Sequence, residues 1–380
     1  MQDAGYRIQV RSQRTEVRIL FSVLCFPFSV FCVNLCNLVV IKKKNKNNLK
    51  FLLLPVTLLL LILIIHNIGF ANLYSTIVRA NLGYLILAVV LQASSILVRN
   101  LKWQIFVNGI KKAPFFSLLV MLLAGSFMDT STPGPQVGGG PLKAYFLSKK
   151  IKVDKATCLS TVLVERITGV GALAFFGIGS MLFVLIFIQN VSLIVKMLLE
   201  FVLVLIIGVP IAGYILKEKY EGKSYKGKAI ISKIYYFGPF SFLRKRFKTL
   251  QTVDDYVSLK LREFAQTFSK LSHDKNKVGV NVILAFVGWI LIFASTYVLF
   301  FALGHHVSFF AIMIVISLSI FLSYFLFMPG GAGVTELLMI SLYISFGISS
   351  TIAASVALLD RFIFYIFSLG FGYVSLIYLK

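Results

Sequence analysis

Apolar residues along this chain come in long unbroken runs separated by short polar segments, without the strict alternation of half-buried strands. A membrane-spanning helix needs about 20 consecutive apolar residues. Runs of that order cover Ile19–Ile41, Phe51–Phe70, Leu82–Val98, Ala156–Ile188, Val191–Leu216, Val278–Leu303 and Ile352–Leu379. Two more, Phe115–Met128 and Ser308–Met328, run straight into breaks rich in proline and glycine. The pattern predicts an all-α polytopic membrane protein. Composition agrees: 58% of the 380 residues are hydrophobic and 14% are charged, with a mean hydropathy of +0.89. A soluble domain could not hide that much apolar surface.

Charge then orients the runs. The net charge of +24 would suggest nucleic acid in a soluble protein. Here the bases cluster between apolar runs, as cytoplasmic loops do, so nucleic acid is not expected, and anionic lipid head groups are the natural partners. Lys42, Lys43, Lys44, Lys46 and Lys50 place their linker inside, and the Leu82 span then ends inside near Arg99, Lys102, Lys111 and Lys112. If Phe115–Met128 simply crossed, Lys143, Lys149, Lys150, Lys152 and Lys155 would lie outside. A re-entrant hairpin returning to the inner face removes that violation. The segment 217–277, with 15 bases against 6 acids, is then a cytoplasmic linker, His305 and His306 lie outside, and a second hairpin enters from outside. The C-terminal Lys380 is inside, and the expected location is the cell membrane. Residues 1–45 form a basic extension whose one apolar segment fits the charge pattern badly. Either its N-terminus is outside, or it is an anchor or targeting segment. Within the linker, Val257, Leu261, Phe264, Phe268 and Leu271 make one apolar helical stripe, to be packed on the bundle or laid on anionic lipid.

The membrane domain expected over residues 46–380 also repeats itself. "TPGPQVGGGPLKAYFLSKKIKVDKATCLSTVLVERITGV" (132–170) and "MPGGAGVTELLMISLYISFGISSTIAASVALLDRFIFYI" (328–366) each open on Pro-Gly. Each closes on an acid–arginine pair inside an apolar helix, Glu165-Arg166 and Asp360-Arg361. With the orientation above, the copies (about 82–188 and 278–380) are inverted-topology repeats, which in transporters place a site near the midplane between them. One symmetry-related acid is missing: Glu336 stands seven residues after Pro329, whereas Gly140 stands seven after Pro133.

Asp129, Glu165, Arg166, Glu336, Asp360 and Arg361 are the ionisable groups expected deep in the bundle. Intramembrane charges mark either function or structural pairing. Helix neighbours point about 100° apart, so Glu165 and Arg166 should each reach across the bundle. On the structural reading the carboxylates lock the hairpins to arginines, for example Glu336 to Arg166 or Arg361. On the functional reading, Arg166, Arg361 and the glycine-rich tips hold an anionic head group. The first tip offers Gln136, Gly138, Gly139 and Lys143, and the second Pro329, Gly330, Gly331 and Gly333. Glu336 and Asp360 would contact an amine or hydroxyls, or carry a proton, with Glu165 beside them. No nucleophile–His–acid order, phosphate-binding loop or zinc spacing appears, so neither an enzyme nor a cofactor is expected.

"TPGPQVGGGPLKAY" with "VLVERITGV", and "MPGGAGVTELL" with "ALLDRFIFYI", resemble the membrane-embedded, flippase-like part of the lysylphosphatidylglycerol synthases and its free-standing relatives. The likeness covers about residues 49–380. It implies lipid handling: moving an aminoacylated, glycosylated or polyprenyl-type lipid between leaflets, or serving as a membrane subunit of a lipid-modifying or transferase system. The family pattern carries Glu where this chain has Gly140. No counterpart of the synthases' soluble aminoacyl-transfer domain is read here, so lysyl transfer is not carried over.

Overall fold

The computed structural model describes residues 75–132, 138–187, 250–324 and 329–379. The runs proposed over Ile19–Ile41, Phe51–Phe70 and Val191–Leu216 lie outside them, as does Gln136. Every regular element among the described residues is a helix. In order they are α1 (Leu82–Asn108), α2 (Phe115–Ser131), α3 (Gly139–Ile151), α4 (Lys155–Phe187), α5 (Leu250–Ser272), α6 (Lys275–Ala302), α7 (Phe309–Ser323), α8 (Val334–Ser345), α9 (Ser350–Tyr365) and α10 (Gly372–Leu379). A π-helical turn, Ile366–Phe371, joins α9 to α10. Among the described residues, four continuous helical stretches are long and apolar enough to cross a membrane: α1, α4, α6 and the 30-residue run from Ser350 to Leu379. The remaining apolar helices, α2, α3, α7 and α8, have 17, 13, 15 and 12 residues, so each rises only about 18–26 Å.

Burial is arranged for a lipid solvent. On α1 the exposed face is Leu82, Ile86, Val90, Leu97 and Leu101, at helical spacing, while Ser95, Asn100 and Lys102 are buried. The same inversion recurs on α4, where Phe175 and Ile186 are exposed and Thr161, Glu165 and Ser180 are buried. Polar side chains in such a bundle bond between helices. Ser180 Oγ meets Ser317 Oγ at 2.8 Å between α4 and α7, and Thr168 donates to Asn281 Oδ1 at 2.7 Å between α4 and α6.

Helices α1 and α6 form an antiparallel central pair held in one register. The Asn81 amide donates to the Ala302 carbonyl, Ser295 Oγ to Ala88, and Asn281 Nδ2 to Lys102. Each step along α1 is matched by an equal step back along α6. Helices α2 and α3 pack on each other beside this pair, as do α7 and α8. Lys111 Nζ, just beyond α1, donates to the Ile151 carbonyl at 2.8 Å, so α3 ends beside the end of α1. At the other end Phe300 of α6 lies edge-on to Tyr343 of α8, with centroids 5.1 Å apart, so α8 ends beside the end of α6. Helix α7 packs on α4, and α10 on α2.

Glycines make these crossings close. A Cβ on Gly177 of α4 would lie 2.6 Å from Phe321 Cγ of α7, and one on Gly372 of α10 would lie 2.8 Å from the Leu123 carbonyl of α2. Within the first short pair, a Cβ on Gly139 would overlap the Gly125 carbonyl and the Asp129 carboxylate.

Three residues of the α5 stripe pack on the bundle: Phe264 lies against the cluster of Leu159 and Ile151, and Phe268 and Leu271 lie with Phe106 and Val164. Outside the long apolar helices, Lys260 Nζ bonds Asp154 Oδ1 at 2.8 Å and Glu263 Oε2 at 2.9 Å. Burial pushes the Asp154 carboxyl up, but the bonds from Lys260 and the Ala156 amide outweigh it, leaving Asp154 below its ordinary value.

Two outcomes follow from this packing. Gly139→Ala should destabilise by about 2–3 kcal/mol, because the added carbon meets backbone and has no room to move. Gly179→Ala on α4, which meets nothing within 4 Å, should be neutral or mildly stabilising. Thermal unfolding in detergent distinguishes them. For Asp154, whose folded value is depressed, the contribution is full at neutral pH and is lost as pH falls below about 4. The pair is partly exposed, so the loss is at most about 1 kcal/mol. It should be visible as a low-pH fall in melting temperature that Lys260→Met lacks.

Candidate functional site

Helix α1 carries Gln92, Ser95, Arg99 and Lys102 at intervals of three and four residues, one polar stripe on a mostly apolar helix. Pairing with α6 turns that stripe inward, opposite Ala285, Gly288, Trp289 and Ile292 in the middle of α6. Between them is a cavity of ≈ 260 Å³, closed further by α2, α4, α7, the Gly330-Gly331 turn and α9.

At one end Glu165 of α4, 2% exposed, sits among three cations. Lys143 Nζ is 3.6 Å from Oε2, while Lys102 Nζ and Arg99 Nε are 3.7 and 4.0 Å from Oε1. These are ion-pair distances, longer than the roughly 2.7–2.9 Å of charge-assisted hydrogen bonds. Lys143 is held behind Glu165 with its ammonium 5.0 Å from the centre of the Trp103 ring, a cation–π contact. The indole in turn donates to Thr161 Oγ1 at 3.1 Å. Its aliphatic stem runs over Gly125 of α2, where a Cβ would lie 2.6 Å from Lys143 Cγ.

The next helix position, Arg166, points elsewhere. Its Nη2 bonds Asp129 Oδ2 at 2.9 Å, and Asp129 Oδ1 accepts the Gly139 amide at 2.7 Å. One carboxylate at the end of α2 therefore satisfies both a guanidinium and the positive N-terminal end of α3. The protein's own carboxylate occupies the Gly139 amide that the sequence reading offers to a head group. A Cβ on Gly140 would lie 3.6 Å from Arg166 Nη1 in ordinary contact. An acid there would thus face the guanidinium that Asp129 serves.

At the other end, Asp360 Oδ1 accepts from Thr296 Oγ1 at 2.6 Å and its Oδ2 lies 3.2 Å from Arg361 Nη2. Arg361 Nε is buried without a hydrogen-bond partner, and its guanidinium lies 5.5 Å from the Phe364 ring. The π-helical turn that follows sets Phe367 and Ser368 on the cavity wall, a distortion common at functional sites. Gly330, Gly331 and Gly333 all have positive φ, which explains the run of glycines at this break. A Cβ on Gly330 would lie 2.8 Å from Thr130 Cγ2, so the break presses against the end of α2.

The cavity thus brings together Glu165, Arg166, Gly330, Gly331, Asp360 and Arg361. Lys143 reaches it through Glu165, and Gly138 and Gly139 form the packed start of α3 behind Asp129. Pro329 opens the 3₁₀ turn, and Gly333 caps the start of α8. Glu336 is fully buried and accepts from Tyr365 OH at 3.1 Å, in place of the expected Arg166 or Arg361. Arg99 and Lys102 are the residues that sequence reasoning misplaced. Helix α1 runs on to Asn108, so both are cavity-wall charges within it instead of bases beyond its end. Their spacing from Gln92 and Ser95 was the available signal. Among the described residues, no cluster of three His, Cys, Asp or Glu side chains could hold a metal ion.

A family model described as the lysylphosphatidylglycerol synthase TM region matches residues 48–372. The chain is 26% identical to a UPF0104 membrane protein of Pyrococcus horikoshii over 83% of its own length and 92% of the relative's. It is likewise 26% identical to one from Methanocaldococcus jannaschii, covering 87% and 94% of the two chains. A third relative, from Methanothermobacter thermautotrophicus, is 24% identical over 84% and 91%. With the match running through both proline–glycine breaks and both acid–arginine pairs, this chain is a member of the lysylphosphatidylglycerol synthase transmembrane-region family.

Proposed function

We propose that this protein binds an anionic lipid by its head group in the central cavity and moves it between leaflets. The observation that carries the reading is that, among the described residues, cations on the cavity wall outnumber carboxylates, with Arg99 and Lys102 standing level with the first third of the apolar helix α6. Buried charge costs several kcal/mol per ion unless compensated, and internal locking accounts for Asp129–Arg166 and Asp360–Arg361 but not for Arg99 and Lys102, which share Glu165 with Lys143.

The architecture proposed for this task is a pair of inverted repeats, α1–α4 and α6–α10, each containing a re-entrant hairpin, α2–α3 and α7–α8. Several features support it. The first helices of the two halves pair antiparallel, and the first hairpin helix of each half packs on the last helical run of the other. Helix α3 ends beside the end of α1 and α8 beside the end of α6, and α1 and α6 are antiparallel, so on this reading the two hairpins would open to opposite faces. None of the four short helices reaches the roughly 30 Å of a hydrocarbon core. With the basic ends of α1 and α3 in the cytoplasm, Lys111, Lys112, Lys149 and Lys150 would obey the positive-inside rule. A head group would cross through the cavity while its tails stayed in the bilayer, with no nucleotide-driven step.

The reading is tested by leaflet exchange of a fluorescent anionic lipid in proteoliposomes. Wild-type protein should accelerate exchange above protein-free vesicles, and Arg99→Gln and Arg361→Gln, checked for folding by thermal unfolding, should slow it about tenfold or more. Absence of exchange for anionic lipids with folded wild-type protein would favour a non-transporting subunit of a lipid-modifying system.

A further inference from the structure

The two ends of the cavity differ in charge balance. At the Asp360 end one carboxylate faces one guanidinium. At the Glu165 end the described residues supply four cations, Arg99, Lys102, Lys143 and Arg166, against two carboxylates, Glu165 and Asp129. Asp129 is committed to Arg166 and the Gly139 amide, so the other three cations share one carboxylate at 3.6–4.0 Å. Lys143 Nζ and Glu165 Oε2 are both buried without a hydrogen bond. Arg99, with 34% of its side chain exposed, is the member of the group with room to turn toward a ligand. The cluster has two positive charges more than it has protein anions.

From this surplus we infer that the cavity is built for a head group carrying two negative charges on phosphate, a phosphomonoester or diphosphate, in preference to a singly charged phosphodiester. This rests on the anionic-ligand reading of the same cavity and narrows it. A phosphodiester leaves one buried cation unbalanced, whereas a dianion balances both and brings enough acceptor oxygens to replace the long ion pairs with short hydrogen bonds. A phosphomonoester takes its second proton near pH 6, so the preference should shrink below that pH, while a phosphodiester has no such step.

The chain's two tryptophans make the test direct: Trp289 lines the cavity and Trp103 lies against Lys143. Purified full-length protein in neutral detergent would be titrated with phosphatidic acid, phosphatidylglycerol and glycerol 3-phosphate at pH 8 and pH 5.5. Tryptophan fluorescence would be followed, and retained ligand counted by native mass spectrometry. Phosphatidic acid should bind about tenfold or more tightly than phosphatidylglycerol at pH 8, with the ratio falling at pH 5.5. In Arg99→Gln, which removes one surplus charge, the ratio at pH 8 should fall toward one. Competition by glycerol 3-phosphate as strong as that of phosphatidic acid would support the dianion site and assign its ligand to solution. Equal binding of the two lipids by the wild type would overturn the dianion preference and leave anionic-lipid binding standing. Retention of none of the three ligands would overturn both.

Discussion

A charge inside an apolar bundle must meet an opposite charge or a strong hydrogen-bond partner, because the surroundings offer no water to screen it. That constraint organises the centre of this protein. Glu165 cannot turn to Arg166, its neighbour on α4, so it draws Lys102 and Arg99 from α1 and Lys143 from α3, while Arg166 turns to Asp129 on α2. Four helices are tied to one another by six side chains. The positions of the short helices follow: α3 begins where Asp129 can accept its first amide, and Lys143, one turn further on, reaches Glu165.

Close packing makes those reaches possible. Lys143 threads between Trp103 and Gly125, and Gly139 lies on the Gly125 carbonyl, so side chains larger than hydrogen would push α3 away from α2 and disturb both the Asp129–Gly139 bond and the reach of Lys143 to Glu165. The same device recurs where the halves exchange partners, with Gly177 receiving Phe321 and Gly372 receiving the backbone of α2. Without a hydrophobic drive between helices in lipid, such contacts and interhelical hydrogen bonds are what hold a bundle together.

Gly140 stands seven residues after Pro133, whereas Glu336 stands seven after Pro329. The second break places Glu336 on α8, where Tyr365 of α9 serves it. The first break has no acid at the matching position, and the guanidinium such an acid would face is served by Asp129 from the preceding helix. The two ends of the cavity are unlike in charge.

By itself the sequence determined that the chain is a helical membrane protein and, among the described residues, roughly where its long helices run and where helices are interrupted. These follow from run length, from glycine's access to positive φ and from the cost of unpaired backbone in lipid, all local properties. It also marked Asp129, Glu165, Arg166, Asp360 and Arg361 as deep, because a charge within an apolar run has nowhere else to be. Tertiary structure alone decided who meets whom: Glu165 with two lysines and Arg99, Arg166 with Asp129, Glu336 with Tyr365. It also decided that Arg99 and Lys102 belong to the cavity. Near a helix end, a base that reaches the water and one that lines an interior look the same in sequence, and only the direction in which the neighbouring helix packs separates them.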